Sequence, residues 1–124
     1  MKEMTVSLGT NLVSTNEKLT SIPLIELYEK IAHANPTFTN EIEVLRSVYH
    51  LDAKKYSMMK KALPYFVCAK FDPAVRRLEN FASTSCFVVD IDKIDEDEVT
   101  LEGLKNELDK DDRIAMMFTS PSGH

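Results

Sequence analysis

Residues 86–95 read CFVVDIDKID. Cys86 through Val89, with Ile91, suit a buried strand, yet the run delivers two acids, Asp90 and Asp92, at its end. Burying an unpaired carboxylate costs several kcal/mol, so the pair must end a strand at an open edge or share a cation. Apolar runs without alternation indicate a strand covered on both faces, as in an α/β sheet. A second such run, RIAMMF at 113–118, follows a helical segment, TLEGLKNELDKD at 100–111. There Thr100 is the expected cap and Leu101, Leu104 and Leu108 point inward. Strand, acidic loop, helix and strand in that order predict two parallel strands joined by a right-handed crossover.

Working back from residue 86, YFVCAKF at 65–71 is aromatic and β-branched and reads as one strand. FDPAVRRLENFAS at 71–83 reads as a turn with at most one helical turn. Three amphipathic helices precede them. SIPLIELYEKIAHA (21–34) has Ser21 as cap, PTFTNEIEVLRSVYHL (36–51) has Thr39, and DAKKYSMMKKAL (52–63) has Asp52, with Pro64 as the stop. MTVSL at 4–8 alternates and predicts a first short strand. The expected architecture is α/β (α+β): a mixed sheet with flanking helices, mainly helical over 1–62 and strand-rich over 63–124. By length the 124 residues are one domain or the N-terminal portion of one.

Composition narrows the class. The apolar content of 44 % is enough for a globular core. No apolar run approaches the roughly 20 residues of a membrane-spanning helix, and the acid-bearing N-terminus lacks the pattern of a signal peptide. Cys68 and Cys86, each in an apolar run, read as reduced core thiols of a cytoplasmic protein. With His33 and His50 they make no zinc spacing. The net charge of −5 is unevenly placed, with residues 1–89 carrying +2 and residues 90–124 carrying −7. Lys54, Lys55, Lys60, Lys61, Lys70, Arg76 and Arg77 crowd into 53–77 beside one acid, Asp72. Such a segment can touch nucleic-acid phosphates, or it can be a solvated basic face.

On a strand, residues two apart share a face, which would hold the Asp90 and Asp92 Cα atoms roughly 6.5–7 Å apart. Carboxylates so placed repel unless a cation lies between them, and Mg²⁺ or Mn²⁺ is the hard ion that suits them. Two such ions serve phosphoryl transfer. The alternative is an acidic turn facing water. TSPSGH at 119–124 begins where the second apolar run ends. Ser120, Ser122 and Gly123 offer hydroxyls and an unhindered N–H for phosphate oxygens, and His124 a further donor. The same residues also form ordinary turns.

A hydrophobic strand ending in D-x-D, a helix, then a hydrophobic strand ending in S-x-S-G resembles the catalytic core of archaeo-eukaryotic-type primases and primase-polymerases. The stretch from Leu63 to His124 is similar to the bacterial branch. That branch occurs as the N-terminal domain of virulence-associated-protein-E-like proteins of mobile elements and as CRISPR-associated primase-polymerases. The resemblance implies that Asp90 and Asp92 are catalytic and bind Mg²⁺ or Mn²⁺. It implies that Ser120, Ser122 and Gly123 hold a nucleoside triphosphate, with His124 lying before the family's basic residue and offering at most an added contact, while the charge of Lys54, Lys55, Lys61, Lys70, Arg76 and Arg77 suits a DNA template and primer. Helicases or CRISPR adaptation proteins are the implied partners, and no membrane is. In the family the S-G turn continues to a basic residue beyond the position of His124, and a third carboxylate follows. The 124 residues are therefore expected to be the first part of a catalytic domain, without measurable activity alone. Two rival readings stay open: a non-catalytic module binding nucleic acid or a partner, and a metal-dependent nuclease.

Overall fold

Strand β1 (Thr5–Gly9) forms because Val6 and Leu8 alternate with small polar residues, and it becomes the centre of a three-stranded antiparallel sheet. Strand β2 (Thr20–Pro23) pairs on one side, Val6 opposite Ile22, and β3 (Tyr65–Val67) on the other, Leu8 opposite Phe66. The computed structural model describes residues 3–91 and 100–121, and its chain divides into two compact units, 1–88 and 89–124. The described residues make an α+β fold of two small antiparallel sheets and four helices.

In the first unit, helices α1 (Leu24–Ala32), α2 (Pro36–Val48) and α3 (Ala53–Lys61) connect β2 to β3. Asp52 caps α3 as the sequence predicts, its Oδ1 accepting from the Lys55 N–H at 3.0 Å. The other two helix starts differ from expectation. Asn35, four residues before Thr39, caps α2 by accepting from the Phe38 N–H at 2.8 Å. Pro36 then fills the first helical position, where a missing N–H costs nothing. Ser21 lies in β2, opposite Ser7, so α1 begins only after Pro23 and has no side-chain cap. The sheet's demand for backbone partners outweighed the cap.

The run 65–71 is not one strand. Tyr65–Val67 pairs with β1, and after Cys68 the chain changes partner, Ala69–Phe71 (β4) pairing with β5 (Phe81–Thr84). Ser7 Oγ, buried, donates to the Ala69 carbonyl at 2.6 Å and satisfies the group left over at the switch. Between β4 and β5 run a cis Asp72–Pro73 peptide and one 3₁₀ turn at Leu78–Asn80. Val6, Leu19, Ile22, Leu27, Leu45 and Ala69 form the core, with Leu45 and Val6 each 1 % exposed. Glu41 and Leu45 of α2 with Met59, Ala62 and Leu63 line a cavity of about 250 Å³.

The second unit contains α4 (Leu101–Asp109), capped by Thr100 as predicted, its Oγ1 accepting from the Gly103 N–H at 3.0 Å. Leu101, Leu104 and Leu108 are half-buried. The two apolar runs expected as central parallel strands are not strands: residues 86–91 and 114–120 enter no ladder among the described residues. Phe87 is 91 % exposed and Val89 79 %. Strand propensity alone does not make a strand, which forms only where a segment meets a partner edge, and β5 ends at Thr84 before the run begins. At Ser85 the chain bends, held by its Oγ donating to the Thr5 carbonyl at 3.0 Å.

Candidate functional site

The first unit holds the basic residues. Lys54, Lys55, Lys60 and Lys61 are exposed on α3, with the Lys60 amine 5.9 Å from the Tyr56 ring, and Lys70 is exposed on β4. Arg76 and Arg77 follow the Asp72–Pro73 turn and reach back to the loop 10–17. Arg76 Nη2 donates to the Leu12 carbonyl at 2.7 Å while its guanidinium lies 5.1 Å from the centre of the Tyr65 ring. Arg77 Nε donates to the Thr15 carbonyl at 3.0 Å, and its Nη2 to Asn16 Oδ1. These two guanidiniums hold a loop in place, a role that their position in a basic run does not reveal.

Glu17 completes that loop. Its carboxylate accepts from the Thr10 N–H and hydroxyl at 2.9 and 2.6 Å, from the Asn11 N–H at 3.1 Å and from Tyr65 Oη at 3.2 Å. Those donors, the Thr10 hydroxyl foremost, lower its pKa from 4.5 to about 2. Gly9 is required beside it, because a Cβ there would fall on the Tyr65 ring.

The second unit holds the acidic and hydroxyl-bearing residues. Asp90 is exposed and lies in no helix or strand. Asp92 lies outside the described residues, as do Ser122, Gly123 and His124, so the expected shared face of the two acids and most of the S-G turn fall there. Ser120 is half-buried at the start of that turn. One residue before it, Thr119 Oγ1 accepts from Lys105 Nζ at 2.6 Å. Lys105 was not among the residues singled out from sequence. It sits on α4 four residues after Leu101, a position that reads as an ordinary helix face until the chain returns beside it. Asp90 provides hard oxygen of the type that Mg²⁺ or Mn²⁺ prefers. Among the described residues no three His, Cys, Asp or Glu groups come together to hold a metal.

The acids and hydroxyls of 89–124 and the basic hairpin of the first unit describe an α+β domain with separate cationic and anionic segments. The family model described as BT4734-like, N-terminal domain, matches residues 58–124, more than half of the chain, and the chain belongs to that family. No curated protein and no solved structure matches it. Among the described residues no helix is long and apolar enough to cross a membrane.

Proposed function

We propose that this chain carries the N-terminal part of a template-directed nucleotidyltransferase of primase-polymerase type. It would extend a DNA primer from nucleoside triphosphates in the cytoplasm. The observation that carries this reading is the Lys105–Thr119 contact, which sets an ammonium group beside the first hydroxyl of the TSPSGH stretch. An ammonium and hydroxyls side by side suit phosphate oxygens. Asp90 and Asp92 are the proposed ligands of Mg²⁺ or Mn²⁺, which would supply charge neutralisation and acidify the attacking hydroxyl when bound. In this reading Lys105, Ser120 and Ser122 orient the triphosphate, and the two carboxylates would hold the metal ions that offset its charge.

The test is nucleotide incorporation on a primed DNA template by the full-length native protein with Mg²⁺ or Mn²⁺. Asp90→Ala should abolish incorporation. Lys105→Ala should raise the KM for nucleotide roughly 10- to 100-fold, the loss expected for one charge-assisted hydrogen bond. Strand cleavage without incorporation would make the protein a nuclease. Nucleic-acid binding without either activity would make it a binding module.

A further inference from the structure

Cys68 and Cys86 lie in the first unit, which ends at residue 88. Cys68 stands where the chain leaves β3 for β4, and Cys86 follows the bend that ends β5. The pairing of Ala69 with Thr84 sets these two segments side by side. The Thr84 hydroxyl clamps them further, sharing its one proton between the Cys68 carbonyl and the Cys86 carbonyl, the latter at 3.0 Å. Both cysteines are reduced and half-buried, and the Cys86 thiol lies close enough to help hold the Cys68 thiol protonated. The register that pairs Ala69 with Thr84 brings Cys68 opposite Ser85, one residue short of Cys86, and the single Thr84 hydroxyl reaching both cysteine carbonyls keeps the two backbones close, as a disulfide requires.

We propose that Cys68 and Cys86 form a redox-active dithiol, a modification site at which a low-molecular-weight disulfide closes an intramolecular disulfide across the β4–β5 hairpin. Cys86 attacks first, because burial and the neighbouring Cys86 push the Cys68 thiol up to about 12 and keep it protonated. The Cys86 thiolate attacks one sulfur of the small disulfide, breaks its S–S bond and releases one small thiolate, which takes up the Cys86 proton. The Cys68 sulfur then attacks the Cys86 sulfur, breaks the mixed disulfide and passes its own proton to the second small thiol. Two protein thiols lose two electrons, and the small disulfide is reduced to two thiols. The closed bond ties off the segment that presents Lys70, Arg76 and Arg77, and anchors the chain as it enters the exposed run at Phe87.

The experiment equilibrates the native chain in glutathione buffers of graded oxidised-to-reduced ratio, traps free thiols by alkylation and weighs the products. The expected product is two hydrogens lighter than the reduced chain and free of glutathione. At a fixed buffer ratio the disulfide-to-dithiol ratio should be at least about tenfold higher in native conditions than in strong denaturant, since the fold raises the effective concentration of one thiol at the other. Equal or lower ratios in the native protein overturn the proposal, as does glutathione persisting on either cysteine. Cys68→Ser should retain glutathione on Cys86, because its resolving thiol is gone, and an unmodified Cys86 there overturns the assigned order. The native-against-denatured comparison uses the unaltered chain and stands even where that variant fails to fold.

Discussion

Two apolar stretches of the first unit have opposite fates. TVSLG at 5–9 is short and interrupted by polar residues, yet it is the central strand of a sheet and holds Val6 at 1 % exposure. CFV at 86–88 is continuous and aromatic, yet it pairs with nothing described and leaves Phe87 91 % exposed. Intrinsic preference favours the second. The first has two partner strands and helices packed nearby, and that decides its state. Strand formation is a property of the edge as much as of the segment, because each ladder hydrogen bond needs a partner.

The sharpest way to break this contrast is to remove one buried side chain of the first unit and one from the exposed run. Leu45→Ala, buried on α2 beside Met59 of α3, should lower unfolding free energy by about 2–5 kcal/mol in urea titrations. Phe87→Ala should change it by less than about 0.5 kcal/mol, as for other exposed positions. Equal losses from the two would mean that the 86–88 run is packed in solution and that the contrast is false.

A smaller effect is expected at the end of β1. Gly9→Ala drives a Cβ into the Tyr65 ring and should cost about 1–3 kcal/mol. Tyr65→Ala in the same chain should relieve much of that loss, so the two substitutions should be non-additive in a double-mutant cycle. Strict additivity would show that the β1–β3 approach is not set by this contact.

The smallest effect is carried by the loop that follows β1. Glu17 has its pKa lowered in the folded chain, from 4.5 to about 2, so ionised Glu17 favours the folded state. Its contribution is complete above about pH 4.5 and fades as the pH falls toward about 2. Glu17→Gln should therefore flatten the acid limb of the stability profile between those values and leave its slope near neutrality unchanged. Asp111, lowered to about 2 chiefly by its hydrogen bonds with Arg113, makes a similar term in the second unit and serves as a control that Glu17→Gln should not alter.

How much could be read from the chain depends on the range of the interactions involved. The helices at 24–32, 36–48, 53–61 and 101–109 were legible because their apolar spacing and the caps Asp52 and Thr100 act within four residues. The acidic and basic segments were legible as charge, and the hydroxyls of 119–122 as composition. The partner change at Cys68, the hairpin 69–84 and the exposure of 86–91 were not. Nothing local tells a strand which edge it will find. The same limit hid Lys105, whose amine meets Thr119 only because α4 and the 114–120 segment lie side by side. It hid the pairing of Cys68 with Cys86 as well, since neither apolar run contains any sign of the other. Sequence alone determined the helices, the caps Asp52 and Thr100 and the placement of charge, each set by neighbours along the chain. Tertiary structure decided which strands exist and which side chains meet, because a backbone hydrogen bond or a buried contact is formed by two segments and neither encodes the other.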